Sequence, residues 1–168
     1  MFRGSELNPP ASTAAFALRD QDGKLVRWAD QRGRFAIVAF LYTECPDVCP
    51  LIAANLNKAL AKLPPAERSR VRVLAISVDP KGDTPAAVRR YVKAHRLLPQ
   101  FRYLTGTHAQ LAPVWRGWHV AVTPGKLDTV DHSAYEMLVD PQGKGRVVYD
   151  AGVQWDDVLH DLRVLMDE

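Results

Sequence analysis

Residues 35–42 read FAIVAFLY, an unbroken run of apolar and aromatic side chains. The stretch from Arg34 to Tyr42 is too short for a helix and rich enough in β-formers to be a strand buried on both faces. A second such run, RVRVLAISV, spans Arg70 to Val78. Between them the pattern is helical from Asp47, with Leu51, Leu56 and Leu60 at roughly helical spacing, until Pro64-Pro65 stops it. Strand, helix and strand in this order require parallel strands joined by a right-handed crossover, so the chain is an α/β protein.

The remaining segments extend that core. Phe16 and Leu18, a turn at Asp22-Gly23, then Leu25, Val26 and Trp28 predict a hairpin, in which Asp-Gly accepts the positive φ the turn demands. Thr84-Pro85 predicts a helix start, Thr84 as N-cap and Pro85 at the first helical position. Val88, Tyr91, Val92 and His95 then share one helix face. Phe101–Leu104 is a short strand. Thr107 caps a helix carrying Leu111, Val114, Trp115 and Trp118, with a kink or two pieces expected at Pro113. Residues 117–131 read as an irregular loop. Ala134–Asp140 and Arg146–Tyr149 are strands joined by Asp-Pro-Gln-Gly, and Trp155, Val158, Leu159, Leu162 and Met166 mark a closing amphipathic helix. A mixed sheet flanked by helices, with an N-terminal β-hairpin and the cysteines at a strand–helix junction, is a thioredoxin-like layout. The expected division is a polar, proline-containing tether over 1–13 and one domain over 14–168.

The formal charge of +3 comes from scattered Lys and Arg without interleaved aromatics, so nucleic acid is not an expected partner. No apolar run reaches the roughly 20 residues of a membrane span, and MFRGSELNPP lacks a signal-peptide core. Composition alone leaves the compartment open.

The chain's two cysteines lie in TECPDVCP, just beyond the first strand. If residues 45–49 enter a helix, Cys45 and Cys49 share a face about 6 Å apart, within the range a disulfide tolerates. A helix N-terminus also favours the thiolate. A disulfide, a redox couple and a metal clamp all remain open on these grounds, beside two inert buried thiols. Zinc normally takes four ligands, and no second Cys or His pair is present. Two thiolates with one imidazole suit copper. Of the histidines, His95 and His160 read as structural and His108 as a surface residue. His119 and His132 bracket the irregular loop. His132 sits two residues before the Ala134–Asp140 strand, in the loop that in this layout passes near the cysteine turn, where it is either a ligand or a surface residue.

TECPDVCP, SVDPKGDTP and VDHSAYEMLVDPQGK together resemble the Sco/SenC family of copper-binding assembly factors, over nearly the whole domain from about Pro10. The resemblance implies a thioredoxin-like fold that holds Cu(I) and Cu(II) through Cys45, Cys49 and His132. It implies a role in building the binuclear copper A centre of cytochrome c oxidase, with the oxidase's copper subunit or another copper chaperone as partner. It further implies an extracytoplasmic domain whose native form is tethered by an N-terminal anchor, with residues 1–13 following that anchor; a monomer is expected. Glu44 and Gly82 stand where the family usually carries other residues, Arg in the second case. Asp131, Glu44 and Asp47 are candidate fourth groups for Cu(II), against a reading as solvated loop charge.

The competing class is a thiol–disulfide oxidoreductase, with Cys45 and Cys49 as redox pair reducing the acceptor's cysteines; enzymatic activity is thus open. A peroxiredoxin would place Pro at 38 and Thr or Ser at 42, where this chain has Val38 and Tyr42. A thioredoxin proper would separate its cysteines by two residues, not three.

Overall fold

The computed structural model describes residues 1–123, the backbone of 131 and 132, and residues 135–168. In chain order the elements are β1 (Ser5–Ala11), β2 (Ala17–Arg19), β3 (Leu25–Arg27), a 3-10 turn at Trp28–Gln31, β4 (Phe35–Leu41), α1 (Val48–Lys62) and α2 (Pro65–Arg68). They continue as β5 (Val71–Ser77), α3 (Pro85–Ala94), β6 (Phe101–Leu104), α4 (His108–Gly117), β7 (Val122–Thr123), β8 (Asp131–His132), β9 (Glu136–Val139), β10 (Gly145–Tyr149) and α5 (Trp155–Met166).

The main sheet has the order β1-β10-β9-β4-β5-β6. β4, β5 and β6 are parallel, and β9, β10 and β1 add successive antiparallel strands. Every residue of β4 is buried, as its uninterrupted apolar sequence demands of a strand covered on both faces. Ile37 and Leu138 sit opposite one another on the face covered by α1, α3 and α5, where Tyr149 reaches Asp161 of α5 and Tyr103 meets Tyr91 of α3. On the other face Phe40 packs against Trp118, which joins Phe16 and Trp28 in an aromatic cluster beneath the β2–β3 hairpin. The hairpin forms as predicted, with Gly23 at φ +75° in its turn.

Several expectations give way. Ser5–Ala11, read as part of a tether, is the edge strand β1 paired with β10. Prolines are tolerated there because an edge strand needs only one side of its hydrogen-bonding groups, and the register shifts between Glu6 and Ala11. Leu51 faces solvent, while the buried stripe of α1 runs through Cys49, Ile52, Ala53, Leu56 and Leu60. Pro64-Pro65 ends α1 but opens the short α2, with Pro65 at its first position.

Pro113 does not divide α4, which runs as one helix behind a Thr107–Gln110 capping box. An interior proline costs about 3 kcal/mol. Burial of Leu111, Val114 and Trp115, at about 1.5–3 kcal/mol for each such side chain, outweighs it. The ends of the segment read as irregular loop are also ordered, since β7 pairs with β8 through Val122 opposite His132 and Thr123 opposite Asp131.

Candidate metal centre

β4 carries the chain to the cysteine turn. Cys45 precedes α1 by three residues and Cys49 is its second residue, so the two do not share one helix as the spacing suggested. They converge because residues 42–47 fold back, with the Cys45 amide donating to the Tyr42 carbonyl at 3.3 Å. Pro50 occupies the first helical turn, where no intrahelical donor is required of it. Both cysteines are free thiols and both are buried, Cys45 at 9% exposure and Cys49 at 1%.

The two thiols bear on each other's ionisation and differ in acidity. Burial works against ionisation of Cys45, but hydrogen bonds from the Cys49 thiol, from the backbone N–H groups of Asp47 and Cys49, and from the Tyr42 side chain outweigh it and lower its pKa. Burial, followed by the hydrogen bond with Cys45, pushes Cys49 up to about 12. The helix start thus favours one thiolate, with the second thiol held against it.

The turn rests on a buried carboxylate. Asp83 Oδ1 accepts from the amide and the hydroxyl of Thr43, at 2.9 and 2.7 Å, and Oδ2 accepts from Ser77 Oγ at 2.7 Å and the Tyr103 hydroxyl at 3.4 Å. The Thr105 hydroxyl donates to the Asp83 carbonyl. The loops following β4 and β5 are therefore fastened together beneath the cysteines. Tyr91 of α3 packs against His95 with ring centroids 4.1 Å apart, and its buried hydroxyl has no hydrogen-bond partner among the described residues. Burial, then the negative charges available at Cys49 and Cys45, raises that phenol. A groove of about 330 Å³ opens beside the turn between Thr43-Glu44 and the Arg90–His95 flank of α3.

Cys45 and Cys49 are brought together. His132 lies in β8, and its side chain, like that of Asp131, lies outside the described residues. Among the described residues no group of three His, Cys, Asp or Glu side chains is arranged to hold a metal. Glu44 and Asp47 are exposed beside the cysteines. His160 contacts Asp161 at 2.9 Å, and exposed His108 packs on Trp115. Two free thiols in mutual contact are a soft donor pair that fits Cu(I), which needs only one or two further ligands. The sequence reading missed Asp83 and Tyr91. The aspartate immediately before the Thr84-Pro85 cap was its one available signal.

No described helix is long and apolar enough to cross a membrane. Comparison with known proteins places this arrangement. The chain is 36% identical over 139 residues to the mitochondrial SCO2 homolog of Bos taurus, an alignment covering 76% of this chain and 50% of that protein. It spans about half the length of the first curated relatives it matches. Apo Sco1 from Thermus thermophilus superposes with a TM-score of 0.85 at 32% identity, over 98% of this chain and 97% of that one. Bradyrhizobium japonicum ScoI, solved with copper bound, gives 0.77 at 29% identity over 92% and 99%. BsSco, described as carrying a disulfide switch and as a member of the Sco family of cytochrome c oxidase assembly proteins, gives 0.79 at 26% identity over 94% and 95%. These structures carry the thioredoxin-like architecture expected from the sequence. The profile of the SCO1/SenC family matches residues 5–167, and the chain belongs to that family.

Proposed function

We propose that Cys45, Cys49 and His132 bind copper as Cu(I) and Cu(II), and that the protein carries this cargo to the binuclear copper A centre of cytochrome c oxidase. The observation that carries this reading is the pair of free, buried thiols at the start of α1, in a family whose members include structures with copper bound. Two thiolates and an imidazole form a soft set for Cu(I); Cu(II) takes a further, harder donor such as water. The groove between Thr43-Glu44 and α3 gives an acceptor segment an approach to the turn. The acceptor is the oxidase's copper subunit or another copper chaperone. The domain works as a monomer in an extracytoplasmic compartment, held to the membrane in its native form, in keeping with a mitochondrial relative and with a Bacillus anthracis lipoprotein of the same family.

The test is a copper titration of the reduced protein against a competing chelator, with absorption spectra for a Cu(II)–thiolate band. Cys45→Ala, Cys49→Ala and His132→Ala are each expected to lose tight binding. Stoichiometric copper retained by His132→Ala would refute the three-ligand site.

The unequal acidity of the thiols favours a second reading, a thiol–disulfide reductase. The Cys45 thiolate attacks one sulfur of an acceptor disulfide and releases the other as a thiolate. Cys49, giving up its proton, then displaces the mixed disulfide; the acceptor gains two electrons and two protons while Cys45 and Cys49 are oxidised to a disulfide. A His132→Ala variant that loses copper but reduces the acceptor at the wild-type rate would select this reading.

A further inference from the structure

At the end of the sheet opposite the cysteines, the β2–β3 hairpin and the sheet face beside it enclose a cleft of about 340 Å³. Five cationic side chains line it, Lys24, Arg27, Arg34, Arg72 and Arg102, against two carboxylates, Asp20 and Asp30. Register explains the concentration. Ala36 lies opposite Arg72, and Leu74 opposite Arg102, so Arg72 and Arg102 project from the same face of β5 and β6. Arg34, two residues before Ala36, joins that face at the start of β4.

The treatment of these cations is unequal. Arg102 is satisfied by Asp20 at 2.7 Å and Asp22 at 2.6 Å. Arg72, also partly buried, pairs with no carboxylate among the described residues, and its NH1 nitrogen donates to the Ser69 and Val71 carbonyls at 3.2 and 2.8 Å. Arg34, Arg27 and Lys24 form no ion pair among the described residues. Burial, and then repulsion from Arg34 and Arg102, lowers the pKa of Arg72, the reverse of what a paired guanidinium shows. A solvated charged surface would spread such groups outward; here the fold gathers them over a concave floor and leaves all but Arg102 without a paired carboxylate among the described residues.

We propose that this cleft is a binding site for a phosphate group carried by a small organic molecule. Planar guanidinium forks at Arg34 and Arg72 match phosphate oxygens two at a time. Leu25, Val26, Leu74 and Pro99 supply an apolar wall for the remainder of the molecule. The concavity favours a compact solute over a flat bilayer. At about 3.3 Å per residue, the seven residues of β4 put this cleft roughly 23 Å from the cysteine turn. It therefore stands independently of the copper reading.

The experiment is calorimetric titration of the full chain with inorganic phosphate and with phenyl phosphate at fixed ionic strength, alongside flotation with phosphatidylglycerol vesicles. Saturable binding of both phosphates is expected, several-fold tighter for phenyl phosphate. Arg34→Gln and Arg72→Gln should each weaken it at least tenfold, while Lys62→Gln, on α1, leaves it unchanged. Arg34 is exposed and its side chain makes no hydrogen bond or ion pair among the described residues, so its variant folds even if that of Arg72 does not. Equal weakening by Lys62→Gln would reduce the effect to net charge and overturn the site. Vesicle binding through the same arginines without binding of soluble phosphate would overturn the small-molecule assignment.

Discussion

Both the amide and the hydroxyl of Thr43 donate to a single oxygen of Asp83, 40 residues away in sequence. That oxygen fixes the chain two residues before Cys45, so the position of the first thiol is set by a residue on another loop. Asp83→Ala strands four donors in a buried site and should cost about 2–5 kcal/mol in urea unfolding. Thr43→Val removes only the hydroxyl's bond and should cost about 1 kcal/mol. Equal stability of wild type and Asp83→Ala would show that the network does not hold the turn.

The thiols should be chemically distinguishable. Cys45, more exposed and with its pKa lowered, ionises before Cys49, which is pushed up to about 12. Iodoacetamide at pH 7.5 on the reduced protein should therefore alkylate Cys45 at least tenfold faster, read by peptide mass spectrometry. Preferential labelling of Cys49 would reverse the assignment of attacking and resolving thiols.

Glu136 is 1% exposed, and its Oε2 has no hydrogen-bond partner among the described residues. Burial, then the negative charge of Asp150, pushes its carboxyl up to about 8. The unfolded chain gives up that proton near pH 4.5, so between that value and pH 8 the folded state binds more protons and loses stability as pH rises. The loss amounts to on the order of 4 kcal/mol by pH 8. Glu136→Gln should abolish this slope, so that the stability difference between variant and wild type grows steadily from pH 5 to pH 8. A pH-independent difference would place the carboxylate in contact with water or a cation.

Asp161 behaves in the opposite sense. Burial opposes its charge, but bonds from His160, the Arg3 and Gly4 amides and the Tyr149 hydroxyl prevail and hold its pKa below the ordinary aspartate value. Its stabilising contribution is present above about pH 4 and is lost as pH falls through the depressed folded pKa. Asp161→Asn should cost about 1–3 kcal/mol at pH 7 and should release β1 first, seen as faster amide exchange in residues 5–11.

The strands β4 and β5 were legible because burial on both faces leaves an uninterrupted apolar signature, and α3 and α4 because their caps are local chemistry. β1 was hidden because its partner lies some 140 residues away and its two prolines resemble a linker. The two-residue strands β7 and β8 are too short to show any periodicity. The closeness of the cysteines was anticipated from helical spacing, whereas the chain achieves it with a turn outside the helix. Asp83, Thr43, Ser77 and Tyr103 form one network from four separate segments, and no spacing rule connects them.

The pairing of β1 also sets an orientation. Ser5 lies opposite Val148, near the end of β10, while Ala11 lies opposite Gly145 at its start. Because β10, β9 and β4 alternate in direction, the end of the sheet at which Ser5 enters is the end at which β4 delivers Cys45. Any support grasping the polypeptide by its leading residues would look onto the thiols, with the arginine-lined cleft turned to the far side.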